Sequence, residues 1–195
     1  MRQLAILLGG AMCLAACSTT PAEPPVPVAA VDPSNPLFAP GYMAMAGSSD
    51  QFEIQSSQLA LQMSQNVAVR NMANLLIADH TRSTQMVIAA AQSAGLTPPP
   101  PALLPPHQAM LDQLRSAGSG PSFDMAFKQL QVQAHQEALA LHQNYSANGD
   151  VPALRTVAGQ IAPVVQMHLQ HAQMLNVAPP PLPPLPTTGR AGERG

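Results

Sequence analysis

Hydrophobic and small side chains recur through the middle of the chain at intervals of about 3.5 residues, the spacing of one face of an amphipathic α-helix. The first stripe predicts a helix that ends near Met63, and the second predicts a helix that stops at Gly95. The stripes consist of Met45, Ala46, Ser49, Phe52, Ser56, Leu59, Ala60 and Met63, and of Val69, Ala73, Leu76, His80, Ser83, Val87, Ala90 and Ala94.

Two further stripes follow a proline-rich stretch and predict a second helical pair. Asn148 and Gly149 end the first of these helices, and Asp150 with Pro152 is typical of an N-cap followed by proline in the first turn. We also expect a bend at Pro163, because proline removes one helical hydrogen bond. The stripes consist of Phe123, Phe127, Leu130, Ala134, Ala138, Leu141 and Tyr145, and of Leu154, Val157, Ala158, Ile161, Val165, His168, Ala172 and Leu175.

The segment between the two pairs predicts a long connection. Prolines at 98–101, 105 and 106 break the helical pattern, and a short helix is expected from about His107 to Ser116, before the glycines near residue 118. Two hairpins joined by one longer crossing predict an all-α, antiparallel four-helix bundle with a short extra helix in the central crossing.

The N-terminus has the plan of a signal peptide, with Arg2 followed by a short apolar run. Leu14-Ala15-Ala16-Cys17 resembles a bacterial lipobox, which implies cleavage after residue 16 and acylation of Cys17. Ser18 in the next position is similar to lipoproteins that are sorted to the outer membrane. We therefore expect an exported protein, anchored in that membrane by acyl chains and facing the periplasm; an ordinary secreted protein cut elsewhere is the alternative.

Proline-rich sequences flank the helical region on both sides. The chain contains 22 prolines, and many lie before residue 41 or after residue 177. Such sequences favour extended spacers and disordered ends. The expected organisation is a signal peptide (1–16), a tether (17–40), a bundle (41–177) and a disordered tail (178–195).

Charge and cysteine content exclude several classes of function. Only 9% of the residues are charged, the formal net charge is −2, and the eight basic residues are scattered, so no nucleic-acid partner is expected. Cys13 would leave with the signal peptide, so the mature chain has no pair of thiols for a disulfide. No catalytic triad, phosphate-binding loop or pair of catalytic carboxylates is recognised, which favours a role other than that of an enzyme.

Polar side chains interrupt each of the four long stripes. If both short turns lie at the same end of the bundle, Glu53 and His80 lie roughly 20 Å from that end, His135 roughly 22 Å and His168 roughly 28 Å, at about 1.5 Å per residue. The sequence therefore predicts one layer of the core that receives a polar group from every helix.

Imidazoles and a carboxylate inside a bundle suit one transition-metal ion, such as Zn, Fe, Cu, Mn or Ni. Glu53, His80, His135 and His168 are the predicted ligands, with Asp79 and His171 as supporting partners or alternates. A buried polar cluster that only fixes the register of the helices is the competing interpretation.

The four long helices carry a further set of short motifs, which are Glu53, Ala78-Asp79-His80-Thr81, Ser122-Phe123-Asp124, Gln131-Val132, His135, Pro163 and His168-Leu169. Together these motifs resemble the DUF4142 family, a ferritin-like group of secreted or lipid-anchored bacterial proteins, over roughly Tyr42 to Val177. The resemblance implies a ferritin-like bundle and supplies no function. Ile77 and Val165 stand three residues before His80 and His168, where di-iron proteins carry glutamate, so a di-iron centre is not expected.

The favoured function is a metal-binding or metal-sensing accessory protein of the cell envelope, with stress response as a setting. The alternative is a structural or interaction lipoprotein whose bundle presents a surface to an envelope protein. A metal-dependent oxidoreductase is a third interpretation, and it requires an open coordination position on the metal.

Overall fold

The computed structural model describes residues 34–178, which form five α-helices with no strand among them. The all-α fold predicted from the sequence is confirmed. The signal peptide, Cys17, most of the tether and nearly all of the tail lie outside the described residues. The helices are α1 (Ala39–Met63), α2 (Val67–Ser93), α3 (Pro105–Ser116), α4 (Pro121–Asn148) and α5 (Pro152–Met174).

The four long helices form a square in which each helix packs against two neighbours. The pairs are α1 with α2, α2 with α5, α5 with α4, and α4 with α1, while the short α3 lies against α1 and α4. Within the described part of the chain, no helix combines the length and hydrophobicity needed to cross a membrane.

Contacts at the helix ends show that the two short turns lie at opposite ends of the bundle. The N–H of Gly120, just before α4, donates to the carbonyl of Met63 at the end of α1 (3.3 Å). The N–H of Asp150, after α4, donates to the carbonyl of Leu37 before α1 (3.1 Å). The expectation that both turns share one end is therefore wrong, because the connection that carries α3 runs the length of the bundle and reverses the second pair.

The predicted layer is present despite this correction, because Glu53, His80 and His135 lie near the middle of their helices, while His168 lies nearer the C-terminal end of α5. A residue halfway along a helix has the same depth from either end, so reversing a helix pair moves it little. The side chain of Asn66 donates to the carbonyl of Asn176 (2.9 Å), which places the end of α5 beside the α1–α2 turn.

Two helix ends show how local sequence sets the boundaries. Asn66 is the N-cap of α2, and its side-chain oxygen accepts from the N–H of Ala68 (2.9 Å). Val151, rather than Asp150, is the N-cap of α5, so the predicted capping role of Asp150 is wrong. The carboxylate of Asp150 instead accepts from the hydroxyl of Tyr145 (2.8 Å).

Pro163 lies inside α5, and the predicted bend there stays a prediction.

A polar layer divides the hydrophobic core into two parts. One apolar cluster, which includes Leu76 and Phe127, lies toward the α1–α2 turn. The other, which includes Tyr42 and Leu154, lies toward the α4–α5 turn. Between them lie fully buried polar side chains of α1, α2, α4 and α5. Because burying polar groups costs free energy unless they are paired, this layer is the part of the bundle that packing alone does not explain.

Candidate metal centre

Three imidazole rings meet at the centre of the polar layer. His80 on α2, His135 on α4 and His168 on α5 have ring centroids 5.4 to 5.5 Å apart. Their exposed fractions are 3%, 0% and 1%. One potential ligand atom from each residue lies within 4.8 Å of the other two. This histidine triad, which comprises His80, His135 and His168, places donors from three different helices around one buried point.

One nitrogen of each ring is held by a hydrogen-bond acceptor. Nδ1 of His80 donates to the carboxylate of Asp50 (2.8 Å), and Nδ1 of His135 donates to the backbone carbonyl of Gln131 (2.8 Å). Nε2 of His168 donates to the carboxylate of Asp79 (2.9 Å). These contacts fix the orientation of each ring, as the outer partners of metal-bound histidines do.

The remaining nitrogen of each ring has no hydrogen-bond partner among the described residues. These atoms are Nε2 of His80, Nε2 of His135 and Nδ1 of His168. Buried polar atoms are rarely left without a partner, since each costs roughly 1–3 kcal/mol. A metal ion bound to all three nitrogens would satisfy them together, so the donor set fits a transition metal.

Glu53 borders the histidine triad without joining its common centre. One carboxylate oxygen lies 3.5 Å from Nδ1 of His135, the nitrogen that already donates to Gln131, and neither oxygen has a hydrogen-bond partner among the described residues. Burial raises the pKa of Glu53 to about 7, although the charge of His80 acts in the opposite direction. Its position suits it to balance the charge of a bound cation.

The protonation states of the rings differ. Burial lowers the pKa of His135 to about 3 and that of His168 to about 4, so both are neutral at pH 7. Burial also lowers the pKa of His80, but the hydrogen bond to Asp50 and the nearby negative charges outweigh it, and the net pKa is raised. The acidic neighbours of His80 thus favour the charged form of its ring, with which a metal ion would compete.

The other histidines lie outside the histidine triad. His171 is exposed on α5. His142 is buried, and its Nδ1 lies 3.1 Å from the hydroxyl of Tyr42. His107 lies 2.6 Å from the hydroxyl of Ser48.

Sequence reasoning missed Asp50, which is 3% exposed and holds His80. The predicted ligand set contained Glu53 as its acid on α1 and gave Asp50 no role, although both are buried. The position of Asp50 three residues before Glu53 was the available signal, since residues three apart share a helix face. The hydroxyl of Thr84 donates to the second carboxylate oxygen of Asp50 (2.9 Å), so this acid links two side chains of α2.

The fold and the site together define a helical-bundle protein with a buried histidine centre. Residues 24–175 match the profile of a domain of unknown function, DUF4142. The chain belongs to the DUF4142 family.

Solved structures of CopM share the fold. CopM in the Cu(II)-bound form is 20% identical, with a TM-score of 0.59, and the match covers 70% of this chain and 94% of that chain. The Ag-bound form is 20% identical with a TM-score of 0.57, and the match covers 70% of this chain and 93% of that chain. The apo form is 19% identical with a TM-score of 0.56, and the match covers 70% of this chain and 94% of that chain. At this level of identity the likeness shows the fold alone. No protein of curated function matches the chain significantly.

Proposed function

We propose that the bundle binds one transition-metal ion through the histidine triad and serves as a metal-binding accessory protein of the bacterial cell envelope. The proposal rests on three buried imidazole nitrogens that have no hydrogen-bond partner among the described residues. In each ring the other nitrogen is already hydrogen-bonded to an acceptor. A purely structural cluster would be expected to pair these nitrogens with one another or with nearby donors.

Copper is the first metal to test. Imidazole nitrogens bind Cu, Zn, Fe and Ni, and Cu²⁺ binds most tightly among the divalent ions of this series. The similar CopM structures contain Cu(II), Cu(I) or Ag, which supports the same choice for this chain. Zinc, iron, manganese and nickel are the alternatives. Asp50, Asp79 and Glu53 would balance the positive charge of the ion.

A binding titration tests the proposal. The protein is produced with Cys17→Ser, which removes the acylation target, and is titrated with Cu²⁺ and Zn²⁺ in the presence of a competing chelator. We expect one ion per chain. His80→Ala, His135→Ala and His168→Ala each weaken binding by more than about 100-fold, because each removes a direct ligand. His171→Ala is the matched control, since it removes an exposed imidazole from the same helix as His168.

The structural alternative predicts a different result. If no ion binds at micromolar concentration, the polar layer is structural, and an interaction lipoprotein becomes the better assignment. Equal binding by the wild type and the three triad variants would also remove the proposed site.

We further propose that acyl chains on Cys17 hold the domain on the periplasmic side of the outer membrane. The lipobox-like sequence supports this location, and the proline-rich segment that follows it would serve as a spacer. Labelling with a fatty acid and membrane fractionation test it. Label in the membrane fraction that is lost on Cys17→Ala supports the anchor, whereas an unlabelled wild-type protein contradicts it.

A further inference from the structure

A cavity of about 430 Å³ lies between α2 and α5, beside the histidine triad. Asp79, Arg82 and Ser83 of α2 and Gln160 and Ile161 of α5 are among its lining residues. Arg82 and Gln160 are exposed, so the cavity meets solvent. Its volume is large enough for a hydrated cation together with several further water molecules.

Asp79 connects this cavity to the buried rings. Its side chain is 31% exposed, whereas that of His168, to which it is hydrogen-bonded, is 1% exposed. Nε2 of His168 thus contacts a residue that lines the cavity, while Nδ1 has no hydrogen-bond partner among the described residues. The acceptors of the other two rings are buried, since the side chain of Asp50 is 4% exposed and Gln131 is fully buried. Of the three acceptors, Asp79 is therefore the one that solvent can reach.

Ser83 extends the polar wall inward. Its residue is 7% exposed, and its hydroxyl has no hydrogen-bond partner among the described residues. Ser83 follows His80 by three positions, so the two side chains lie on the same face of α2. The cavity thus offers a partly exposed carboxylate and a buried, unpaired hydroxyl oxygen, and oxygen atoms of both kinds can coordinate a cation in passing.

The other side of the triad offers much less room. A second cavity reaches Asp50 between α1, α2 and the proline-rich segment after α2, but its volume is about 10 Å³. That is at the lower limit for a single water molecule. An ion would have to separate Asp50 from Thr84, its hydrogen-bond donor, to pass on this side.

We propose that the 430 Å³ cavity is the path by which the metal ion reaches the histidine triad, and that the carboxylate of Asp79 binds the ion first. This inference rests on the proposed function. The ion is attracted to Asp79, passes to His168, which is hydrogen-bonded to Asp79, and is then also bound by His80 and His135. Arg82 lies at the same mouth without an ion-pair partner among the described residues, so its positive charge opposes the approach of a cation.

Rates of copper loading test the proposal. Cu²⁺ buffered with glycine is mixed rapidly with the metal-free Cys17→Ser chain, and the visible absorption of the copper–imidazole complex is followed. Asp79→Asn keeps an oxygen that can accept from His168 but removes the charge, and we expect association at least about tenfold slower. Arg82→Gln should load faster. Asp112→Asn is the matched control, because it removes an exposed carboxylate on α3 and should not change the rate.

The rate constants separate an access role from a positioning role. If Asp79 lies on the path, Asp79→Asn slows association, and the salt dependence of the association rate becomes weaker than in the wild type. If Asp79 only orients His168, the variant dissociates faster while its association rate and salt dependence stay unchanged, and that result overturns the inference.

The outcomes also separate this inference from the proposed function. Binding of one copper ion by the wild type, with Asp79→Asn and Asp112→Asn associating at the same rate, leaves the site in place and rejects the path. Failure of the wild-type chain to bind copper or any other transition metal rejects both.

Discussion

The carboxylate of Asp50 on α1 accepts a hydrogen bond of 2.8 Å from Nδ1 of His80 on α2, and both side chains are only 4% exposed. The contact joins the two helices of the first hairpin inside the polar layer. The other nitrogen of His80, Nε2, is left without a hydrogen-bond partner among the described residues. One buried carboxylate therefore contributes both to helix packing and to the geometry of the proposed metal centre.

Asp50→Ala should weaken both stability and metal binding. The substitution leaves His80 and Thr84 without their shared acceptor, which should lower the free energy of unfolding by about 1.5–3 kcal/mol. The loss of an orienting partner should reduce copper affinity by about 10–100-fold. Denaturant unfolding of the metal-free protein and a copper titration measure the two effects.

Thr84→Val is the control for this prediction. It removes the hydrogen bond from Thr84 to Asp50 but leaves the contact between Asp50 and His80. Copper affinity should remain close to that of the wild type. If Asp50→Ala and Thr84→Val bind copper equally well, Asp50 does not position His80 for a metal.

The metal-free protein should become less stable as the pH falls from 6.5 toward 4. Burial lowers the pKa of His135 to about 3 and the pKa values of His142 and His168 to about 4, from 6.5 in the unfolded chain. In this range the unfolded chain binds protons that the folded protein does not, so the stability present above pH 6.5 is lost on acidification.

Glu53 acts in the opposite direction. Its pKa rises from 4.5 to about 7 on folding, so its contribution is present below pH 4.5 and is lost as the pH rises through 7. His80, whose pKa is also raised, acts in the same direction as Glu53. These two groups do not offset the three imidazoles with lowered pKa values, so the net stability should fall as the pH falls. Denaturant midpoints measured with a chelator present between pH 4 and 7 check this. His142→Gln should make the dependence shallower, and a midpoint that rises on acidification would contradict the assignment.

Gly149→Ala should destabilise the bundle. A Cβ atom at this position would lie 2.6 Å from the ring of Tyr145, which is fully buried and stacks on Tyr42 with the ring centroids 3.8 Å apart. Because the ring is packed on its other face, we expect a loss of about 1–3 kcal/mol.

Gly159→Ala is the matched comparison for Gly149→Ala. A Cβ atom there has Ser146 at an ordinary 3.7 Å, and the residue lies inside α5, so stability should rise by roughly 0.5–1 kcal/mol. Thermal unfolding of both variants gives the comparison. Equal melting temperatures for the two variants would show that the ring of Tyr145 moves freely, which would contradict its tight packing against Tyr42.

Copper should stabilise the folded protein in proportion to its occupancy of the site. At a free concentration of 100 times the Kd, a ligand that binds only the folded state adds about 2.7 kcal/mol to the free energy of unfolding. The gain should be larger with Cu²⁺ than with the same concentration of Zn²⁺ or Ni²⁺. It should vanish in His135→Ala, and a gain that persists in this variant would place the ion elsewhere.

The long helices and their inward faces could be predicted from the sequence because helical periodicity is a local property. The stripe through Leu76 and His80 and the stripe through Phe127 and Ala134 both appear in the buried core. Gly95, expected to stop the second helix, follows α2 with a φ of 74°.

The direction of the long connection could not be predicted in the same way. Periodicity shows which side of a helix faces inward, but it carries no information about the end of the bundle at which the next helix begins. The predicted relative placement of Asn66 and Gly149 was therefore wrong, while the rings of His80, His135 and His168 still meet in one layer.

The partners of the rings were the least predictable part of the site. Whether Asp50 or Glu53 pairs with His80 depends on the rotation of α1 by a fraction of a turn, which depends on packing against α2 and α4. Asp150 shows the same difficulty, because Tyr145 competes with the backbone for its carboxylate. Such choices among nearby partners depend on the tertiary structure.

Anomalous diffraction from copper-loaded crystals, recorded at the copper absorption edge, shows directly whether the histidine triad holds the ion. We expect one strong peak per chain, bonded to Nε2 of His80, Nε2 of His135 and Nδ1 of His168. A peak only at exposed side chains such as His171, or no peak among the three rings, would contradict it.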